Sequence, residues 1–294
     1  MKFKYLITVF SIILIIVVFA AILLPRLLAG PEFAANLQFI TIPLLIFMVL
    51  LLAAVCVFFF SNYRLLSLLE REDWPALAYY LEQQIYGKLK YSTRKVKLLA
   101  SSYIVMSDFN SVLTLETKTL NAKPIVVEKN ILIFGAARVL SGGYREAAEF
   151  FKTYFEKGKG EENQWIRWYY GFSKLLGSDF NAAEPEFLSL AVFSNNALIS
   201  ALSAYFLDSS LANHSENPEK CRSVAENGKK RVVKSIKNAS LWKRETDKTG
   251  TDIHVAIVRK YIDETGNWLF SEKKTITPTP VEETEDKEEE VTAT

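Results

Sequence analysis

The chain has 294 residues, half of them hydrophobic, and a formal net charge of +2. That balance excludes a polyanion binder, so no nucleic-acid partner is expected. Two cysteines and two histidines are too few for a disulfide framework or a histidine-built metal centre, and neither a cofactor nor a small-molecule substrate is implied.

Residues 5–24 form an apolar run interrupted only by Thr8 and Ser11. About 20 helical residues cross the roughly 30 Å hydrocarbon core of a bilayer. Residues 40–60 form a second such run, with Thr41 and Pro43 near its start. A cleavable signal peptide is the rival reading of the first run, with Lys2 and Lys4 as its basic flank. The run is too long for that, and Leu28-Ala29-Gly30 is only a fair cleavage site, so a retained helix is expected. Residues 1–62 therefore read as an anchor of two transmembrane helices joined by a loop over residues 25–39. That loop carries Arg26, whereas Lys2 and Lys4 precede the first helix and Arg64, Arg71, Lys88, Lys90, Arg94, Lys95 and Lys97 follow the second. Positive flanks stay inside, which predicts a multi-pass plasma-membrane protein with both termini and the soluble domain in the cytoplasm. On that topology the triplets Asn213-His214-Ser215 and Asn238-Ala239-Ser240 carry little weight as glycosylation sites. Residues 60–70 contain no Gly or Pro, so the second span should run without a break into the soluble part.

Residues 63–236 hide a period. Four segments look alike: Glu72-Asp73-Trp74-Pro75-Ala76-Leu77, Ser107-Asp108-Phe109-Asn110-Ser111-Val112, Gly142-Gly143-Tyr144-Arg145-Glu146-Ala147 and Ser178-Asp179-Phe180-Asn181-Ala182-Ala183. Their aromatics, Trp74, Phe109, Tyr144 and Phe180, are spaced by 35, 35 and 36 residues. Apolar helix precedes each segment, Asp or Gly ends that helix, and Asp caps the next. Each unit thus reads helix, tight turn, helix, and stacked units would bury the apolar faces together.

This pattern resembles the tetratricopeptide repeat family, with its period near 34 residues. Gly135 and Gly171 lie nine residues before Tyr144 and Phe180, where the family has its small residue. Ala147 and Ala183 match the small residue of the second helix, and Phe151 and Phe187 follow four later. Ala100 takes the glycine's part in the second unit. The closing proline is missing, Val112 and Glu116 replace the family's alanine and aromatic, and Pro185 is expected to weaken its helix. The resemblance implies an all-α fold, two transmembrane helices followed by a tetratricopeptide-like solenoid. It also implies a concave groove lined by the first helix of each unit. Arg94, Lys97 and Ser101 then lie beside Trp165 and Tyr169, with Trp168 and Phe172 expected between units. Such a groove suits a peptide with an acidic end and an apolar anchor. Lys97 falls at a position that holds a peptide carboxylate in some members, although Ser101 stands where those members have Asn.

Further along, residues 211–218 read as a polar loop and residues 218–236 as a basic helix with Lys229, Lys230, Arg231 and Lys234. That run is read as a solvated face, with anionic lipid as the sharper alternative. Residues 237–270 form the capping region, with a last helix over 252–269, and residues 271–294 an acidic, disordered tail. Catalytic signatures are absent. Ser240, Lys243 and the Lys248-Thr249-Gly250 triplet lie too close together for a penicillin-recognising site, and Gly158-Lys159-Gly160 lacks the spacing of a phosphate loop. His214 and His254 read as surface histidines. The expectation is a non-enzymatic, membrane-anchored scaffold for a protein or peptide partner, with a structural accessory subunit as the alternative.

Overall fold

The computed structural model describes residues 3–155, 160–250 and 252–271, and only part of the side chains before residue 46. The chain is all-α, with no strand among the described residues. The expected acidic tail beyond Ser271 lies outside them.

Helix α1 spans Phe3–Glu70, 68 residues without interruption. At 1.5 Å per residue that is about 100 Å. The loop expected over residues 25–39 is helical, which corrects that part of the reading. The segment joins two apolar runs, but strong helix formers surround its Pro25, Gly30 and Pro31, and a proline can kink a helix without ending it. Among the described residues one stretch, Ile46–Glu70, is long and apolar enough to cross a membrane, where two were expected. None of its side chains is buried, and the apolar surface is largely open there, as in the described part of the first apolar run: Phe19 is 64% and Phe47 62% exposed. Helix α1 does continue unbroken past Phe60 to Glu70, where it meets the helices that follow.

There follow α2 (Trp74–Glu82) with a π-helical turn over Gln83–Gly87, α3 (Thr93–Val105), α4 (Phe109–Ala122), the short α5 (Pro124–Glu128), α6 (Ile131–Leu140) and α7 (Tyr144–Thr153). Then come α8 (Gly160–Leu176), α9 (Phe180–Phe193), α10 (Ala197–Ser209), a 3-10 turn over Leu211–Asn213, α11 (Pro218–Ile236) and α12 (Ala239–Thr249). The last pair is α13 (Ile253–Ile257) and α14 (Arg259–Phe270), where the sequence suggested one helix. From α7 to α11 each helix packs chiefly against its neighbours in the chain. The 3-10 turn buries Leu211 and Ala212, so the expected polar loop is partly core.

Four turns share one geometry. Trp74, Phe109, Tyr144 and Phe180 each open a helix. The residue two positions earlier is left-handed in every case: Glu72 at φ 53°, Ser107 at 57°, Gly142 at 81° and Ser178 at 61°. The next amide then reaches five residues back: Asp73 to Leu68 O, Asp108 to Tyr103 O, Gly143 to Arg138 O and Asp179 to Lys174 O, at 2.9–3.2 Å. This is the Schellman closure of the preceding helix. Asp73, Asp108 and Asp179 also cap the helix that follows, accepting from the amides of Ala76, Ser111 and Ala182. One short motif therefore both stops a helix and starts its antiparallel partner.

Between paired helices the small residues admit rings. A Cβ on Gly135 would lie 2.1 Å from Cζ of Phe151, so α6 and α7 touch there only because the side chain is absent. Gly171 is looser, with Glu186 Cβ at 3.3 Å and the Phe187 ring at 3.5 Å. Ala147 and Ala183 are fully buried. Glu116 pairs with Arg138 at 2.5 Å, and the guanidinium lies 4.2 Å over the Phe150 ring. Pro185 sits inside α9 without ending it.

Two cores result. One, aliphatic, joins the end of α1 to α2–α6 through Leu77, Leu81, Ile85, Leu99 and Leu115. The other, rich in aromatics, runs from α6 to α14 through Phe151, Trp168, Tyr169, Phe187 and Phe206.

The basic run on α11 is only partly a solvated face. Arg231 donates to the carbonyls of Val192 and Ala191 and to Ser200 Oγ, closing the C-terminal end of α9. Lys229 donates to Trp268 O at 2.5 Å and ties α14 down. Lys230 and Lys234 remain exposed. Both cysteines are free, Cys221 buried and Cys56 half-buried.

Candidate functional site

The short helix α13 lies among α3, α6 and α8, the helices on which a groove was expected. Helix α13 packs against α6 and α14, and its residues reach both cores: Val255 belongs to the aromatic one, while Ile253 and Ile257 pack against the aliphatic one. Tyr169 Oη, fully buried, donates to the His254 carbonyl at 2.5 Å. Burial alone holds that phenol protonated well above its ordinary range. The Trp165 ring meets the His254 ring edge-on at 5.3 Å. Tyr261, just beyond α13, packs edge-on against Phe172 at 5.3 Å. Lys97 Nζ lies 2.6 Å from Asp252 Oδ1 at the N-terminal end of α13. For Asp252, burial opposes ionisation, but the Lys97 ammonium outweighs it and leaves the carboxyl below its ordinary range.

His254 overturns its expectation. It is 7% exposed rather than on the surface. Burial pushes its imidazole down to about 4, with Asp252 opposing and Lys97 reinforcing the shift. The ring is therefore neutral near pH 7. Its Nε2, like Oδ1 of Asn130, is buried without a hydrogen-bond partner. Both residues border a cleft of about 360 Å³ beside α13, which Lys97, Lys129, Glu161 and Trp165 also line. His214 is exposed and stacks on Phe180 at 3.9 Å.

Of the residues expected in the groove, Lys97, Trp165 and Tyr169 converge on α13. The two aromatics are 3% and 0% exposed, covered by the chain itself rather than open to a partner. Ser101 spends its hydroxyl on the Lys97 carbonyl, and Arg94 is exposed one turn earlier on α3. Trp168 and Phe172 stack at 4.9 Å inside the aromatic core. Sequence reasoning missed Asp252, His254 and Asn130. The apolar run around His254, from Ile253 to Val258, was the available sign that this histidine faces inward. Among the described residues, no cluster of His, Cys, Asp or Glu is arranged to hold a metal ion.

Comparison with known proteins bears on the same region. An "Uncharacterized protein" of Treponema pallidum (strain Nichols) is 28% identical over 239 residues, covering 77% of this chain and 74% of its own. No solved structure matches. A family model described as "Uncharacterised Treponema protein" matches residues 111–271. That match begins inside α4 and runs past the end of α14, so it takes in α6, α8 and α13. It covers more than half of the chain, which therefore belongs to the family described as "Uncharacterised Treponema protein".

Proposed function

We propose that this chain is a membrane-anchored helical scaffold whose groove holds a short helical segment: its own α13 at rest, and a segment of a partner protein in exchange. The observation that carries the reading is the seating of α13. Five residues are too few to be helical alone in water, so its helicity depends on the surface that receives it. That surface supplies an apolar slot, a phenol that captures a backbone carbonyl and a lysine beside an acidic N-terminal position. These are general features of helix-in-groove recognition, and a partner segment with an acidic residue before an apolar turn would meet the same contacts.

The test uses a labelled synthetic peptide copying residues 250–262. It should bind the full-length chain carrying Val255→Asp, whose own segment is loosened, and not the wild type. If neither binds while circular dichroism of the variant matches the wild type, the groove is not a peptide receptor. In that case the alternative gains, a structural accessory subunit that docks through its membrane helix. The exposure of Phe47, Leu50 and Phe58 on that helix favours it.

We read the repeated turns as a tetratricopeptide-like array, and residues 5–24 and 40–60 as two membrane spans with the array in the cytoplasm. A rod of about 100 Å cannot cross a core of about 30 Å twice without a bend, and Gly30-Pro31 is the cheapest place for one. A single cysteine at Asn36 or Ser215, in a chain without Cys56, probed on intact cells with an impermeant thiol reagent, decides the topology. Labelling at 36 alone fits two spans. Labelling at 215 places the array outside and refutes this topology.

A further inference from the structure

The long edges of the helical array differ in chemistry. One edge carries the four tight turns, with Glu72, Asp73, Asp108 and Asp179. The opposite edge carries the connections between hairpins. The first of these, residues 87–92, holds Leu89, which is 77% exposed on a left-handed backbone (φ 50°) between the exposed Lys88 and Lys90. The second, residues 123–130, holds Ile125, 49% exposed, between the exposed Lys123 and Lys129, with Glu128 as its acid. The two connections lie side by side: Asn130 Nδ2 reaches the Thr93 carbonyl at 3.5 Å, and Lys118 near the end of α4 lies 4.4 Å over the ring of Tyr86.

The height of this edge follows from the first hairpin. Helices α1 and α2 are antiparallel across the turn at Glu72, and Arg64 lies 5.2 Å over the Tyr80 ring, so residues 64 and 80 stand level. Equal rise on both helices then brings Gly87 down to about the level of Val57. Val57, Phe58 and Phe60 are 65%, 60% and 84% exposed and belong to the apolar stretch. If α1 spans the membrane, Leu89 therefore sits beside its last apolar turns, where the hydrocarbon gives way to headgroups.

We propose that the edge carrying Leu89 and Ile125 rests on an anionic bilayer surface, with Leu89 among the upper acyl chains and the flanking lysines at the headgroups. The sequence of charges fits: lysine stems lie along apolar surface while their ammonium groups reach anionic phosphate. The acidic edge then faces water. The array is thereby held at a second place besides α1, which fixes its tilt. This inference rests on the reading of α1 as a membrane span.

The test is nitroxide labelling of single cysteines at positions 50, 89, 125 and 145 of the full chain. Cys56 is replaced by alanine, and the buried Cys221 is left in place. The labelled chains are reconstituted in vesicles with and without anionic lipid, and collision with oxygen and with a water-soluble relaxer is compared. Labels at 50, 89 and 125 should be lipid-like in anionic vesicles and the label at 145 water-like. Lys88→Glu with Lys90→Glu should return position 89 to water several-fold more than position 50. A lipid-like label at 50 with water-like labels at 89 and 125 overturns this inference and leaves the span standing. A water-like label at 50 overturns both.

Discussion

The two cores are built differently for the same task. The core next to α1 is aliphatic and is closed by the last turns of that helix, whose Leu65, Leu68 and Leu69 pack against it. The distal core is aromatic and is closed by α14 and by the inserted α13. A row of hairpins exposes an apolar face at each end and along its concave side, and every open face must be covered. Here α1 covers one end and the chain's own C-terminal segment covers the other end and packs among α3, α6 and α8. Helix α6 is the wall between the cores, with Phe134 and Ala137 in the first and Ala136 and Val139 in the second. The lesson is that the two cores depend on one another through α6 and α13, although their chemistry differs.

The largest predicted effect attacks that wall. Gly135→Val places carbon inside the Phe151 ring and should cost about 3 kcal/mol, with both cores unfolding together in urea. Adding Phe151→Leu should restore much of it. Gly171→Ala, away from the wall, should cost under about 1 kcal/mol. Equal costs at the two glycines would contradict the role given to α6.

Acid should separate the cores next. His254 is held down to about 4 by burial, against an ordinary 6.5. Its folded pKa is depressed, so below pH 6.5 the unfolded chain binds the proton more readily than the folded one. The stability from the neutral buried ring is complete above that pH and is lost as pH falls toward about 4. The loss at pH 5 is about 2 kcal/mol. Thermal melts from pH 7 to 5 should show it, and His254→Leu should flatten the dependence. A slope unchanged in His254→Leu would assign it elsewhere.

Turn substitutions test the shared geometry with smaller effects. Ser178→Gly relieves a left-handed serine and should raise stability by about 0.5–1 kcal/mol, whereas Gly142→Ala should lower it by about 1 kcal/mol. Lys97→Ala should change global stability least, by under about 0.5 kcal/mol, because both partners of the Asp252 pair are 47% exposed.

The turns were legible in the sequence because everything they need is local: a left-handed residue, a capping Asp and an aromatic that opens the next helix lie within three positions. Helical register puts Lys97 on α3 and Trp165 and Tyr169 on α8, but what packs over them was not legible. Tyr169 meets His254 across 85 residues and Lys97 meets Asp252 across 155, and no local pattern encodes such a meeting. His254 was misread because a histidine's side depends on what packs over it. The loop over residues 25–39 was misread because a gap between two apolar runs was taken for a connection, although helix formers fill it. Arg231 was read as solvent-facing, yet its partners are the final carbonyls of α9, brought close only when α10 and α11 fold back.

Hydrogen exchange followed by mass spectrometry, on the full chain and on Val255→Asp, tests the central claim most directly. If α13 is a seated, exchangeable segment, the substitution should speed exchange in residues 252–258 and in the facing stretches of α3, α6 and α8, while α10 and α11 keep their protection. Loss of protection throughout residues 131–236 would show that α13 is an inseparable part of the core and would contradict the account.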